Sequence, residues 1–242
     1  SGNPLRMNRL DTPFDITSDR IKGNVNSDCN DLAGANPNDL AGGDMTFLTV
    51  DHIEKLHISP DGRIFFILNT IGKIGKYNLS KAYDINTMVY ERNFDTGAVT
   101  VDSMAFNRDG TKLYTFDVTA DVGNITTYSL PGPFDISSQT SINVTSMMDI
   151  GVVDEGATQG FDIEFTPDGG AMFILIKNGQ SVSNGDDPSK QLNWIYQFRL
   201  GTNYDVSTAV KVGRYQLDDI FITRNAGDRV GEPVGMEFSH DG

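Results

Sequence analysis

Four segments of the 242-residue chain end in the same Asp-Gly pair and share the spacing of apolar residues before it. They run from Lys55 to Gly62, Ser103 to Gly110, Asp162 to Gly169 and Gly235 to Gly242. Leu56, Met104, Ile163 and Met236 occupy one column, and Ile58, Phe106, Phe165 and Phe238 occupy the column two residues later. A period of two puts both columns on one face of a β-strand, because successive Cβ atoms alternate across the pleat. Asp-Gly then closes a tight hairpin, since glycine takes the positive φ of such turns without a steric penalty. The spacing predicts strands over about 52–59, 101–107, 161–166 and 234–239, with Phe106, Phe165 and Phe238 equivalent.

Three of these turns lead into aromatic- and aliphatic-rich segments, Arg63 to Leu68, Thr111 to Phe116 and Ala171 to Ile176. Such composition suits a strand buried on both faces. A third strand follows at Lys76 to Leu79, Thr127 to Leu130 and Gln197 to Leu200, with an aromatic residue and Leu two apart. Next comes an aromatic–Asp–aliphatic–polar motif at Ala82 to Asn86, Pro133 to Ser137 and Asn203 to Ser207, with a fourth copy at Pro13 to Thr17. It reads as a turn whose Asp bonds the backbone two residues on, its apolar flanks pinned into the sheet. An outer strand such as Met88 to Phe94 completes the unit.

A single four-stranded sheet that is apolar on both faces cannot stand alone. Radial packing covers both faces and leaves only short edges, whereas a sandwich would show one polar face per strand. The expected fold is therefore an all-β propeller of four-stranded antiparallel blades, about three of them complete. The expected divisions are a partial blade at 1–22, a loop at 23–44, blades at 45–100, 101–153 and 154–217, and a partial blade at 218–242. The fourth Asp-Gly stops at its own turn, so the chain is expected to be part of a longer propeller or to be completed by another chain.

Residues 50–242 resemble the Asp-Gly propeller repeats of the YVTN and NHL type, whose inner strands read much like Ile163 to Gly169. The added segment from Ala82 to Asn86 resembles the long propeller repeats of bacteriophage tail and fibre proteins and of some secreted bacterial surface proteins. This resemblance implies a structural or recognition role in a virion. The broad group also includes lactonases, but their catalytic residues sit on no shared repeat motif and are not carried over.

The formal net charge is −14, and Asp supplies 27 of the 33 acidic residues. Asp favours turns because its short side chain caps nearby N–H groups, so the acidity first marks a turn-rich chain. It also excludes nucleic acid as a partner, by repulsion. No apolar run has the length of a membrane span, so no membrane insertion is expected. The single Cys29 sits in a polar, acidic stretch with nothing to lower its pKa.

No local pattern nominates a catalytic residue. His52 and His57 are five apart on one expected strand and point to opposite faces, and no nucleophile elbow or P-loop occurs. Between the two apolar columns lie His57, Ala105, Glu164 and Glu237. On inner strands these would either ring a bound water or cation, or bond a neighbouring blade's backbone. Two Asn/Asp/Gly-rich loops remain, 23–44 with Asp28, Asp31, Asp39 and Asp44, and 178–190 with Asp186 and Asp187. Their oxygen ligands would suit Ca²⁺, although neither follows the calcium-loop pattern, and no other cofactor is expected. Their length marks them as the expected contact surface for other copies, other virion or surface proteins, or a host-surface glycan or protein. The leading expectation is a non-enzymatic phage tail or fibre module located in the virion. The alternatives are a secreted or cell-surface propeller that binds a glycan or protein, and a lactonase-like propeller hydrolase.

Overall fold

The computed structural model describes residues 9–10, 19–20, 53–69, 71–84, 87–98, 100–119, 122–152, 157–178, 192–217 and 235–238. The short strands β1 (Arg9–Leu10) and β2 (Asp19–Arg20) pair antiparallel. Three four-stranded antiparallel sheets follow, each a meander in chain order. The first holds β3 (Ile53–Ile58), β4 (Ile64–Asn69), β5 (Lys73–Leu79) and β6 (Met88–Asp95). The second holds β7 (Ser103–Phe106), β8 (Lys112–Thr119), β9 (Val122–Ser129) and β10 (Thr140–Ser146). The third holds β11 (Ala157–Phe165), β12 (Ala171–Asn178), β13 (Leu192–Leu200) and β14 (Ala209–Gln216). These are propeller blades, and the strands β3, β7 and β11 fall where the Asp-Gly columns place them.

The chain forms two compact units. One contains residues 1–69 and 73–94, and the other contains 70–72 and 95–242. In the first unit, Phe65, Ile67, Tyr77 and Leu79 form a core with Ile58 and Tyr90 packed against it. Phe66, Ile67 and Leu68 are all fully buried, as expected of a second strand covered on both faces. In the second unit one core spans two sheets: Tyr114, Phe116 and Ile125 from one meet Ile163, Ile174, Tyr196 and Phe198 from the other. Each sheet here is covered by its neighbour, which is how a blade hides a face that a lone sheet would leave wet.

The two sequence motifs of the repeat lock onto each other. Tyr83, Phe134 and Tyr204 are the non-glycine residues with positive φ among those described, at 59°, 55° and 59°. Each lays its ring on the glycine of its own blade's Asp-Gly hairpin, Gly62, Gly110 or Gly169. Their N–H groups donate to the carbonyls of Gly62 (2.8 Å), Gly110 (2.7 Å) and Gly169 (3.0 Å). The Tyr83 and Tyr204 hydroxyls add bonds to the carbonyls of Pro60 and Pro167. The following Asp holds the turn: Asp135 and Asp205 accept the N–H two residues on, at 2.9 and 3.1 Å. A bulky residue in the left-handed region is strained, and here the ring contact and the added bonds hold it there.

Within the second unit the innermost strands run side by side, with β7 and β8 both against β11. Phe165 stacks on Tyr114 of the preceding blade at 4.5 Å between ring centroids, and Phe238 stacks on Phe173 at 4.9 Å. Tyr114 and Phe173 hold the same ladder position, opposite Ala105 and Glu164. Phe165 and Phe238 are thus equivalent. Phe106 and Phe165 match in turn, each lying beside its own blade's clamp ring, Phe134 or Tyr204.

Candidate functional site

Two Asp side chains tie neighbouring inner strands together in the second unit. Asp162 opens the apolar stretch of β11 and is fully buried. Its Oδ1 accepts from the Ser103 hydroxyl on β7 at 2.6 Å and from the Ile163 N–H at 2.9 Å. Its Oδ2 accepts the Met236 N–H at 2.6 Å. One carboxylate therefore touches three successive inner segments, accepting from a donor on each. Asp102 makes a similar bridge, accepting the Val118 N–H of its own sheet at 2.7 Å and the Gly160 N–H of β11 at 3.3 Å. Gly160 is needed for this approach, since a Cβ there would lie 2.5 Å from Cε1 of Phe116 and 2.9 Å from the Asp102 carboxylate.

Next to this polar chain lies the column between the apolar positions. Ala105 is buried, Glu164 is half-buried opposite Phe173, and Glu237 is exposed one residue beyond Met236. The structure thus sets Glu164 and Glu237 at the same position of neighbouring inner segments. His57 belongs to the other unit, paired in the ladder with Phe66, the rings 6.2 Å apart. Burial of the imidazole, with a smaller push from the Lys55 ammonium, lowers its pKa from 6.5 to about 4. It is therefore neutral at physiological pH.

The consequence is a fixed sign for the acid response. With a folded pKa below the unfolded one, the unfolded chain binds the proton first. Stability from neutral His57 is complete above pH 6.5 and is lost as pH falls towards 4. At full expression the loss is about 3 kcal/mol. Urea midpoints measured across this range should drop with acid, and the drop should shrink in His57→Phe. An unchanged slope in that variant would show that His57 titrates normally.

Sequence reasoning missed Asp102, Asp162 and Asp117. Burial raises the Asp117 carboxyl, opposed by a hydrogen bond from the Asn124 amide. None of the three repeats in a column: Asp162 aligns with Ser103 and Lys55, so no periodic signal points to it. The expected loop sites, Asp28, Asp31, Asp39, Asp44, Asp186 and Asp187, lie outside the described residues, as do all of loop 23–44 and all of loop 178–190 but Asn178, which ends β12. Among the described residues no group of three or more His, Cys, Asp or Glu side chains could hold a metal ion. No helix among them is long and apolar enough to cross a membrane.

No family model matches the chain, and no curated protein matches it. Solved structures do. A protein from Lactobacillus plantarum is 12% identical over 68% of this chain and 41% of its own, with a TM-score of 0.46. A candidate 6-phosphogluconolactonase from Bacteroides fragilis is 19% identical over 72% and 44%, with a TM-score of 0.45. The periplasmic gluconolactonase of Pseudomonas aeruginosa is 12% identical over 70% and 42%, with a TM-score of 0.45. The chain spans less than half the length of each of these proteins.

These findings correct two expectations, that the chain is a phage tail or fibre module and that it is not an enzyme. The structures it resembles include a gluconolactonase and a candidate 6-phosphogluconolactonase. The physical reason for the error is plain. Catalytic groups on a propeller come from different blades, so the lack of a local catalytic motif in the sequence did not exclude an enzyme.

Proposed function

We propose that the chain supplies blades to a propeller hydrolase that opens a sugar-type lactone. The observation that carries this reading is the placement of Glu164 and Glu237 on neighbouring inner segments, next to a fully buried Asp162 that accepts from the Ser103 hydroxyl and the Met236 N–H. Opening a lactone needs water made nucleophilic beside the ring carbonyl, and a positioned carboxylate supplies the general base. Two carboxylates from neighbouring inner segments offer one group to take the proton and one to orient the water. The Tyr204 clamp on Gly169 and the Asp162 bridge hold the backbone beneath them, which is the pre-organisation such chemistry needs. If a divalent cation takes part, Glu164 and Glu237 are the residues that would face it. The Asp-Gly hairpin columns support a kinship with propellers of the YVTN and NHL type. The Asp-rich surface suits a secreted or cell-surface setting.

The test is hydrolysis of δ-gluconolactone followed by acid release, corrected for the spontaneous rate. The reading expects turnover above background that falls about 100-fold or more in Glu164→Gln, the usual scale for losing a general base. A folded protein that leaves the lactone at its spontaneous rate, with and without added Ca²⁺, sinks the reading.

A further inference from the structure

The outer half of the third sheet carries a cluster that the lactone reading does not use. Trp194 and Tyr196 are two apart on β13 and so share one face. Arg214 on β14 lies over the Trp194 ring, 4.2 Å from its centroid, and the Lys211 ammonium lies 5.7 Å from the centre of the Tyr196 ring. Tyr196 is fully buried. Its hydroxyl and the Trp194 indole N–H are both shut off from solvent with no acceptor among the described residues. Lys211 also donates to the Gly151 carbonyl, tying β14 to the end of the second sheet.

The chemistry of the cluster is one-sided. An indole N–H, an ammonium and a guanidinium can only donate, and a phenol hydroxyl can donate as well as accept. Two of the chain's 19 basic residues meet here, on a protein whose net charge is −14. A buried donor left without an acceptor costs more than a hydrogen bond returns, so this arrangement calls for an oxygen acceptor from outside. Two cations beside it favour a charged one. Arg214 is exposed and rests on the indole face, which puts its planar fork at the solvent side of the cluster.

We propose that Trp194, Tyr196, Lys211 and Arg214 form a binding site for a small oxyanion, a carboxylate or a phosphate group. The proposal stands on donor chemistry alone and is independent of the lactone reading. Its test uses the fact that Trp194 is the only tryptophan in the sequence. Its emission is therefore a local reporter. The intact protein is titrated separately with sodium gluconate, inorganic phosphate and sodium chloride at matched ionic strength, with calorimetry alongside.

The expected result is a saturable change in emission with gluconate or with phosphate and none with chloride. Whichever of the two saturates at the lower concentration identifies the group. Affinity by calorimetry should fall about tenfold or more in Arg214→Gln and in Tyr196→Phe, the scale of one lost hydrogen bond to a charged group. Saturation with neither oxyanion, or an equal response to chloride, overturns the proposal. So does unchanged affinity in both variants.

Discussion

Gly110→Ala should lower the stability of the protein by about 3 kcal/mol or more, while Gly97→Ala should cost only about 1–2 kcal/mol. Both glycines have positive φ, 68° for Gly110 and 74° for Gly97. Both therefore pay the backbone penalty that a Cβ brings in the left-handed region. They differ in what the Cβ would meet. At Gly97 nothing lies within 4 Å, whereas at Gly110 the Phe134 ring is 2.5 Å away. The gap between the two variants is thus the overpacking cost of forcing Phe134 off its glycine. Phe134 cannot retreat easily, because its own N–H is bonded to the Gly110 carbonyl at 2.7 Å. Denaturant unfolding of the two variants beside the parent gives the comparison. Equal losses would mean that ring and glycine are not in contact.

This clamp also shows what was legible in the sequence. Both halves were visible as columns, the Asp-Gly hairpin and the aromatic–Asp–aliphatic motif. The Asp contact two residues on was readable as well, because an Asp side chain reaches only that far. What the columns did not reveal was that the halves touch. The aromatic residue reads as an apolar flank pinned into the sheet, yet Tyr83 is 55% exposed and serves instead as a lid on Gly62. A left-handed Tyr or Phe has no sequence signature, since its strain is offset by partners about 20 to 35 residues away.

The candidate site was less legible still. Glu164 and Glu237 stood out because the repeat aligns them. Asp162 did not, although it is the more deeply placed group. Its partners Ser103 and Met236 lie 59 and 74 residues away along the chain. Contacts of that kind depend on how sheets stack, and periodicity within one strand carries no information about stacking. The cluster at Trp194 and Tyr196 was hidden for a related reason. The aligned positions on β5 and β9 are Lys73 and Gly75, and Asn124 and Thr126, so the aromatic pair belongs to one blade only.

The account rests most heavily on one arrangement, inner strands of consecutive blades lying side by side. The direct test is a double-mutant cycle on Ser103 and Asp162. Asp162→Ala alone should cost about 3 kcal/mol or more, because it strands a buried hydroxyl and the Met236 N–H. Ser103→Ala removes one donor to the same carboxylate and should cost less. If the hydroxyl and the carboxylate meet at 2.6 Å, the two losses overlap, and unfolding free energies should show a coupling of about 1.5–3 kcal/mol. Additive losses, with a coupling below about 0.5 kcal/mol, would mean that β7 and β11 are not neighbours and would contradict the placement of the carboxylates on which the functional reading depends.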